Sequence, residues 1–245
     1  MEDDPIDERW LAELRPAVRL RYFVGQLLTA DDLQKEQSYF RHKNQLHNRF
    51  EVGHGVVCGL RVTAVATTQG NGLRVSAGLA LDAWGREILF PSDVDIVPLR
   101  LSDDCVAPSE GDEPLVGSAH VSVCYRELER EPHPAGAVEL EARAERGAGK
   151  SLIESYCLRV RAGTAPEVST RADAEVLDHL RSGRLHDALC VLAATTCPLA
   201  SADPCVVLAN IAVGVDGSLT VDACGPRAIV PTNRLLMQLA HSFTR

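Results

Sequence analysis

Residues 53–59, Gly-His-Gly-Val-Val-Cys-Gly, bring together glycines, a histidine and a thiol. Three chemistries use such residue types: a phosphate-cradling loop, a thiol–imidazole pair and a metal site. A dinucleotide loop needs G-x-G-x-x-G between a strand and a following helix. Here the third glycine comes one place late, and a helical segment precedes the glycines instead of following them. On a strand, His54 and Cys58 share a face but stand about 13 Å apart, at roughly 3.3 Å per residue. That is too far for the imidazole to raise the thiolate fraction of the cysteine. Gly53, Gly55 and Gly59 are instead expected to permit positive φ, a bulge or a close backbone approach.

Cysteines stand at 58, 105, 124, 157, 190, 197, 205 and 224, and none forms a CxxC pair. Cys124 and Cys157 lie in strand-like runs, where cysteine behaves as a small buried hydrophobe. The zinc candidates are Cys190, Cys197 and Cys205, with His186 one helical turn before Cys190. The paired knuckle spacing of structural zinc sites is missing. A Cys197–Cys205 disulfide is a further option in an oxidising compartment. Glu127, Glu129, Glu139, Glu141 and Glu154 lie on neighbouring strand-like segments, but nothing beside them would raise one carboxyl pKa for acid–base work. Solvated strand surfaces are expected there. No G-x-S-x-G, P-loop, H-E-x-x-H or Asp-rich metal loop occurs. The chain therefore reads as a non-enzyme with no catalytic residue and no cofactor.

Composition narrows the partners. Of 245 residues 45% are hydrophobic but only 4% aromatic, so Leu, Val, Ile and Ala must fill the core. The net charge of −9 argues against a nucleic-acid binder, which needs a basic face for phosphates. The first ten residues are acidic and lack the apolar core of a secretory signal. No run approaches the roughly 18 apolar residues of a membrane helix. A cytoplasmic protein without a membrane span is expected.

Several elements follow from pattern. Residues 1–24 form an acidic arm ending in Arg21-Tyr22-Phe23. Thr29 with Asp32 fits an N-terminal capping pattern, and Asp31 suits the positive end of a helix dipole. Leu33, Phe40 and His47 recur every seven residues, with Tyr39, Leu46 and Phe50 beside them, which predicts a helix of about five turns. Its narrow apolar stripe suits a sheet edge, a partner chain or a solvated surface. Past the glycines the period becomes alternating. Residues 59–67 and 73–81 flank Thr-Gln-Gly-Asn-Gly, a hairpin signal. Asp82-Ala83-Trp84-Gly85 marks another turn, and 120–128 and 151–163 read as strands. Residues 102–114 read as an exposed loop. In the C-terminal third, 169–183 is helical with Ser169 or Thr170 as cap. Residues 184–196 suggest a helix, with a strand possible for their apolar part. Residues 205–225 form a hairpin turning at Asp216–Gly217, and 232–243 form a closing amphipathic helix. The fold class is α+β: an N-terminal helix and an antiparallel β-meander over 25–165, then a smaller helix–hairpin–helix region over 166–245.

Residues 20–91 carry a longer pattern: R-Y-F-x-G-x-L-L-T-x-x-D at Arg21 to Asp32, E-Q-x-Y at Glu36 to Tyr39, and H-N-R at His47 to Arg49. A glycine-rich run follows from Gly53 to Val62, then G-x-A-x-D-x-x-G-R-E-I from Gly78 to Ile88. This resembles a family of proteins encoded among contractile injection systems, phage-tail-like particles with a sheath, tube and baseplate. The histidine before the second glycine, His54, is shifted by one place from the family pattern. The resemblance implies a structural subunit of the baseplate or its periphery. Such a subunit would act in multiple copies by assembly with sheath, tube or spike proteins. It directs attention to Tyr22, Phe23, Gly25, Leu27, Leu33, Phe40, His47 and Asn48 as interface or positioning residues, with Gly53, Gly55 and Gly59 setting the angle between helix and sheet. The alternative is a zinc-stabilised scaffold or binding protein outside any such particle.

Overall fold

The computed structural model describes residues 16–68, 70–102, 115–130, 151–167, 174–194, 197 and 201–243. The fold is α+β, as the pattern predicts. Helix α1 runs Ala30–His47. Thr29 caps it as expected: its hydroxyl accepts from the Asp32 amide while the Asp32 carboxylate accepts from the Thr29 amide. That reciprocal bond holds the Asp32 carboxyl below its ordinary value. The helix then loosens into one π-helical turn, Asn48–Val52, ending at Gly53 with φ +91°.

Six short strands follow: β1 (Gly55–Gly59), β2 (Val62–Thr67), β3 (Gly70–Val75), β4 (Gly78–Leu81), β5 (Glu87–Phe90) and β6 (Val94–Ile96). They form two antiparallel three-stranded sheets, β1-β4-β5 and β2-β3-β6. The run 73–81 is therefore not one strand. It breaks at Ser76–Ala77, where the Arg61 amide donates to the Ser76 hydroxyl and the Ala77 amide to Asp93 Oδ1. The hairpin turn comes earlier than its Asn-Gly signal suggests. Thr67 already faces Gly70, so Asn71 and Gly72 belong to β3. Gly72 is needed within the strand because a side chain there would collide with the Ile96 backbone.

The main sheet has the order β10-β9-β7-β8. Strands β7 (Gly117–Arg130) and β8 (Ser151–Ala162) pair along their whole length. Strand β9 (Val206–Val213) pairs with β7 only from Gly117 to Val123, and β10 (Leu219–Asp222) closes the far edge. The β9–β10 hairpin turns where predicted, with Gly217 at φ +78°. Side chains from all three sheets meet in one core: Val56, Leu60, Leu73, Val75, Ile88 and Phe90 against Val121, Val123, Val160, Leu208 and Ile211. Helices α2 (Ala174–Arg181), α3 (Leu185–Ala193) and α4 (Asn233–Phe243) are the remaining elements among the described residues. The apolar run at 185–193 is thus helix. The proposed caps Ser169 and Thr170, the loop at 103–114 and the carboxylates Glu139 and Glu141 lie outside the described residues. Among the described residues no helix is long and apolar enough to cross a membrane.

Candidate interaction surface

The glycine-rich corner is built by backbone contact. The Val56 amide donates to the Ala228 carbonyl at 2.8 Å, and the Val230 amide returns a bond to the Val56 carbonyl at 3.0 Å. A Cβ on Gly55, whose φ is +131°, would sit 2.5 Å from the Ala228 oxygen. One on Gly59, at φ +64°, would sit 2.8 Å from the Gly78 Cα. His54 is exposed, and Cys58 is a free, exposed thiol. Arg227 locks the corner from behind, donating to the carbonyls of Leu208 at 3.0 Å and Leu60 at 2.7 Å. Burial lowers its pKa.

Below the corner, α1 is seated on the turn between β4 and β5. Asn48 Nδ2 donates to the Gly85 carbonyl at 2.9 Å. Gly85, at φ +82°, lies so close to Gln45 that a Cβ would be 2.9 Å from the Gln45 carbonyl carbon. Fully buried Asp82 organises the turn, accepting from the amides of Trp84 and Arg86 and, at 2.6 Å, from Arg86 Nε. Burial pushes the Asp82 carboxyl above its ordinary value, while Arg86 pulls the other way. The Arg86 guanidinium lies 4.5 Å from the Trp84 ring and 4.6 Å from the Tyr125 ring, within cation–π range of both. Tyr125 donates to Glu127 at 2.9 Å, and burial, then Glu127, raises its phenol pKa. Arg41 of α1 stands 3.7 Å from the same carboxylate. Sequence reading took Asp82–Gly85 for a plain turn. Its missed signal is the aspartate four residues before an arginine, around a tryptophan and a glycine.

The expected apolar residues of the arm and α1 do not pack on their own sheets. Phe23 is 71% exposed, Leu27 85% and Phe40 60%, with Tyr22 and Leu33 also exposed. Gly25 bends the arm at φ +85°, where the Gln26 amide donates to the Phe23 carbonyl. His47 leaves the apolar stripe and pairs with Glu51 at 3.0 Å. In all of α1 only Gln45 is buried. The other helices behave alike. Helices α2 and α3 pack on each other, and Leu185, Leu189 and Leu192 of α3 face outward. Leu235, Leu236 and Met237 do the same on α4.

The cysteines correct the sequence reading. Cys124 and Cys205 are a disulfide, with Cα atoms 4.5 Å apart, and Cys157 is disulfide-bonded too. Pairing Val123 with Val206 places Cys124 opposite Cys205 across two strands, within disulfide range. Cys205 is therefore bonded neither to Cys197 nor to a metal, and Cys197 is a free, exposed thiol. His186 and Cys190 do share a helix face, 3.6 Å apart. Among the described residues no group of three or more His, Cys, Asp or Glu could hold a metal ion. Arg159 Nη1 lies 3.2 Å from Cys205 Sγ, and Arg161 pairs with Asp203. Of the five strand carboxylates, Glu127 and Glu154 face each other directly across β7 and β8 beside Arg41 and Tyr125. No protein-family model matches the chain, and no curated protein matches it.

Proposed function

We propose that this chain is a structural subunit of the baseplate, or its periphery, in a phage-tail-like contractile injection system, acting by protein–protein assembly without catalytic turnover. The observation that carries this reading is the placement of apolar surface. The three sheets bury one common core, while the arm, α1, α3 and α4 turn large apolar side chains outward. Large exposed apolar side chains, where they cluster, mark interaction sites. The motif residues support the same reading because they fix the helix and the corner after it: Asn48 on Gly85, and Gly55 of β1 against Ala228. In a symmetric particle one such contact is repeated, so modest affinities sum to a stable ring. Neighbours would be sheath, tube or spike proteins. Assembly would take place in the cytoplasm, with Cys124 and Cys205 oxidising once the particle reaches an oxidising environment.

The test is to pull the tagged chain from its native cells and weigh the intact complexes by mass photometry. Arrival in a megadalton particle with tube, sheath or spike proteins is the expected result. Arrival alone, as a monomer or small oligomer, overturns the reading. Reversing the charge of Lys43 and Arg49 together tests whether α1 is a contact. Incorporation unchanged by that variant would remove the helix from the interface.

A further inference from the structure

Arg159 of β8 is a cation aimed at a sulfur. Its Nη1 lies 3.2 Å from Cys205 Sγ and 3.5 Å from Asp203 Oδ1, and its side chain is 19% exposed. Its Nε is buried and has no hydrogen-bond partner among the described residues. Asp203 is shared with other donors: the same oxygen accepts from the Cys205 amide at 3.2 Å, and the second oxygen pairs with Arg161. A disulfide sulfur is an uncharged, weak acceptor, so the oxidised state leaves the Arg159 guanidinium poorly satisfied. A thiolate in the same place would give it a charge-assisted hydrogen bond. Reduced Cys205 is thus the better partner, and stabilising the reduced form makes a disulfide easier to reduce.

The two sulfurs are unequally accessible. Cys124 is buried, whereas Cys205 is partly exposed. Cys205 directly precedes Val206, which closes the β7–β9 pairing against Val123. Breaking the cross-link therefore leaves β9 in the sheet and frees the segment before it. That segment holds the turn beneath α1. The Pro204 carbonyl accepts from the Ala83 amide at 3.1 Å, and the Ser201 carbonyl from Trp84 Nε1 at 2.8 Å. Gly85 of the same turn is bonded to Asn48 at the end of the helix.

We infer that Cys124–Cys205 is a reversible thiol-exchange site: a small thiol of the glutathione class attacks Cys205 Sγ, Arg159 holds the resulting Cys205 thiolate, and reduction loosens the seat of α1. The incoming thiol first loses its proton to solvent. Its thiolate forms a bond to Cys205 Sγ as the bond from Cys205 to Cys124 breaks. Cys124 leaves with the electron pair and takes a proton from solvent. A second thiolate then attacks the small thiol's sulfur in the mixed disulfide. This forms the oxidised small disulfide and releases Cys205 as a thiolate beside Arg159, with one proton left in solvent. Two small thiols are oxidised and one protein disulfide is reduced. Arg159 also draws the anionic attacker to the more accessible sulfur. The site works in the free chain as in an assembled one, so its failure leaves the assembly reading untouched.

The test is a redox titration of the full chain in glutathione buffers, quenched by alkylation. Peptides carrying Cys124, Cys157 and Cys205 are quantified separately by mass spectrometry, since Cys157 is in a disulfide of its own. Wild type is expected to open and re-form Cys124–Cys205 reversibly, with the glutathione adduct on Cys205. Arg159→Met should shift the equilibrium about tenfold toward the disulfide, and Arg159→Lys should recover part of that shift. Arg159→Gln replaces Arg159→Met if the latter does not fold. Amide exchange at Ala83–Gly85 and in the last turn of α1 should be faster in the reduced protein. Three results would overturn the exchange site: a disulfide that resists every glutathione ratio, an adduct on Cys124 instead of Cys205, or an uncharged variant that titrates like wild type. Identical amide exchange in the two redox states would overturn the link to the helix.

Discussion

Arg86 shows how much of this protein depends on single side chains placed under the helix. Its guanidinium is held between Trp84 and Tyr125 and bonded to a carboxylate with no exposed surface. Removing that carboxylate leaves a largely buried cation without its counter-charge, while the aromatic sandwich still excludes water. Asp82→Asn should therefore cost about 3–5 kcal/mol in denaturant unfolding. Asp82→Asn combined with Arg86→Met should recover part of that loss, since neither partner is then left alone. Equal melting of Asp82→Asn and wild type would show that the turn is held by its backbone bonds alone. The role of these residues was hidden in the sequence for a physical reason. A turn residue and a buried ion-pair residue have the same letter, and burial comes from Tyr125, forty-three positions after Asp82 on another strand.

Elements differ in how local their causes are. The start of α1 is legible because Thr29 and Asp32 cap it within four residues, and the β9–β10 turn because Gly217 follows Asp216. Sheet membership is not local. The break at Ser76 that sends β3 and β4 to different sheets depends on Arg61 and Asp93. The corner at Gly55 was recognised as a turn, but its partner, Ala228, lies at the other end of the chain. Gly55→Val puts a branched side chain into that carbonyl at a positive φ. It should destabilise the fold by more than about 3 kcal/mol, whereas exposed His54→Ala should stay within about 0.5 kcal/mol. Thermal melts of the pair decide this, and the opposite ranking would return attention to the histidine. The disulfide is the other long-range element, closing 81 residues between β7 and the start of β9. It also holds the segment that seats the turn, since the Ala83 amide donates to Pro204 and Trp84 Nε1 to Ser201. Cys124→Ser with Cys205→Ser should cost about 2–4 kcal/mol. The loss should appear first as faster amide exchange at Ala83–Gly85 and in the last turn of α1.

For the whole molecule, the proposed assembly would use surfaces other than the core that stabilises the fold. Folding requires the three sheets to meet in the core of Leu60, Phe90, Val121 and Leu208. The leucines of α3 and α4 contribute little to that core, because Leu189 is 53% exposed and Leu236 48%. A protein selected only to stay folded and monomeric gains nothing from such residues, and they cost solubility. The two properties should therefore separate on mutation. Leu189→Glu with Leu236→Glu is expected to leave unfolding within about 0.5 kcal/mol of wild type, as for surface sites without special contacts. If the proposed assembly uses these helices, the same variant should be lost from it, because each glutamate would be desolvated against an apolar partner surface. Denaturant melts and recovery of the tagged variant from native cells read the two effects independently. A stable variant that assembles normally would place the contacts elsewhere, on the arm and α1. A variant that unfolds would mean these helices pack on the body in solution, contrary to the exposure of their leucines.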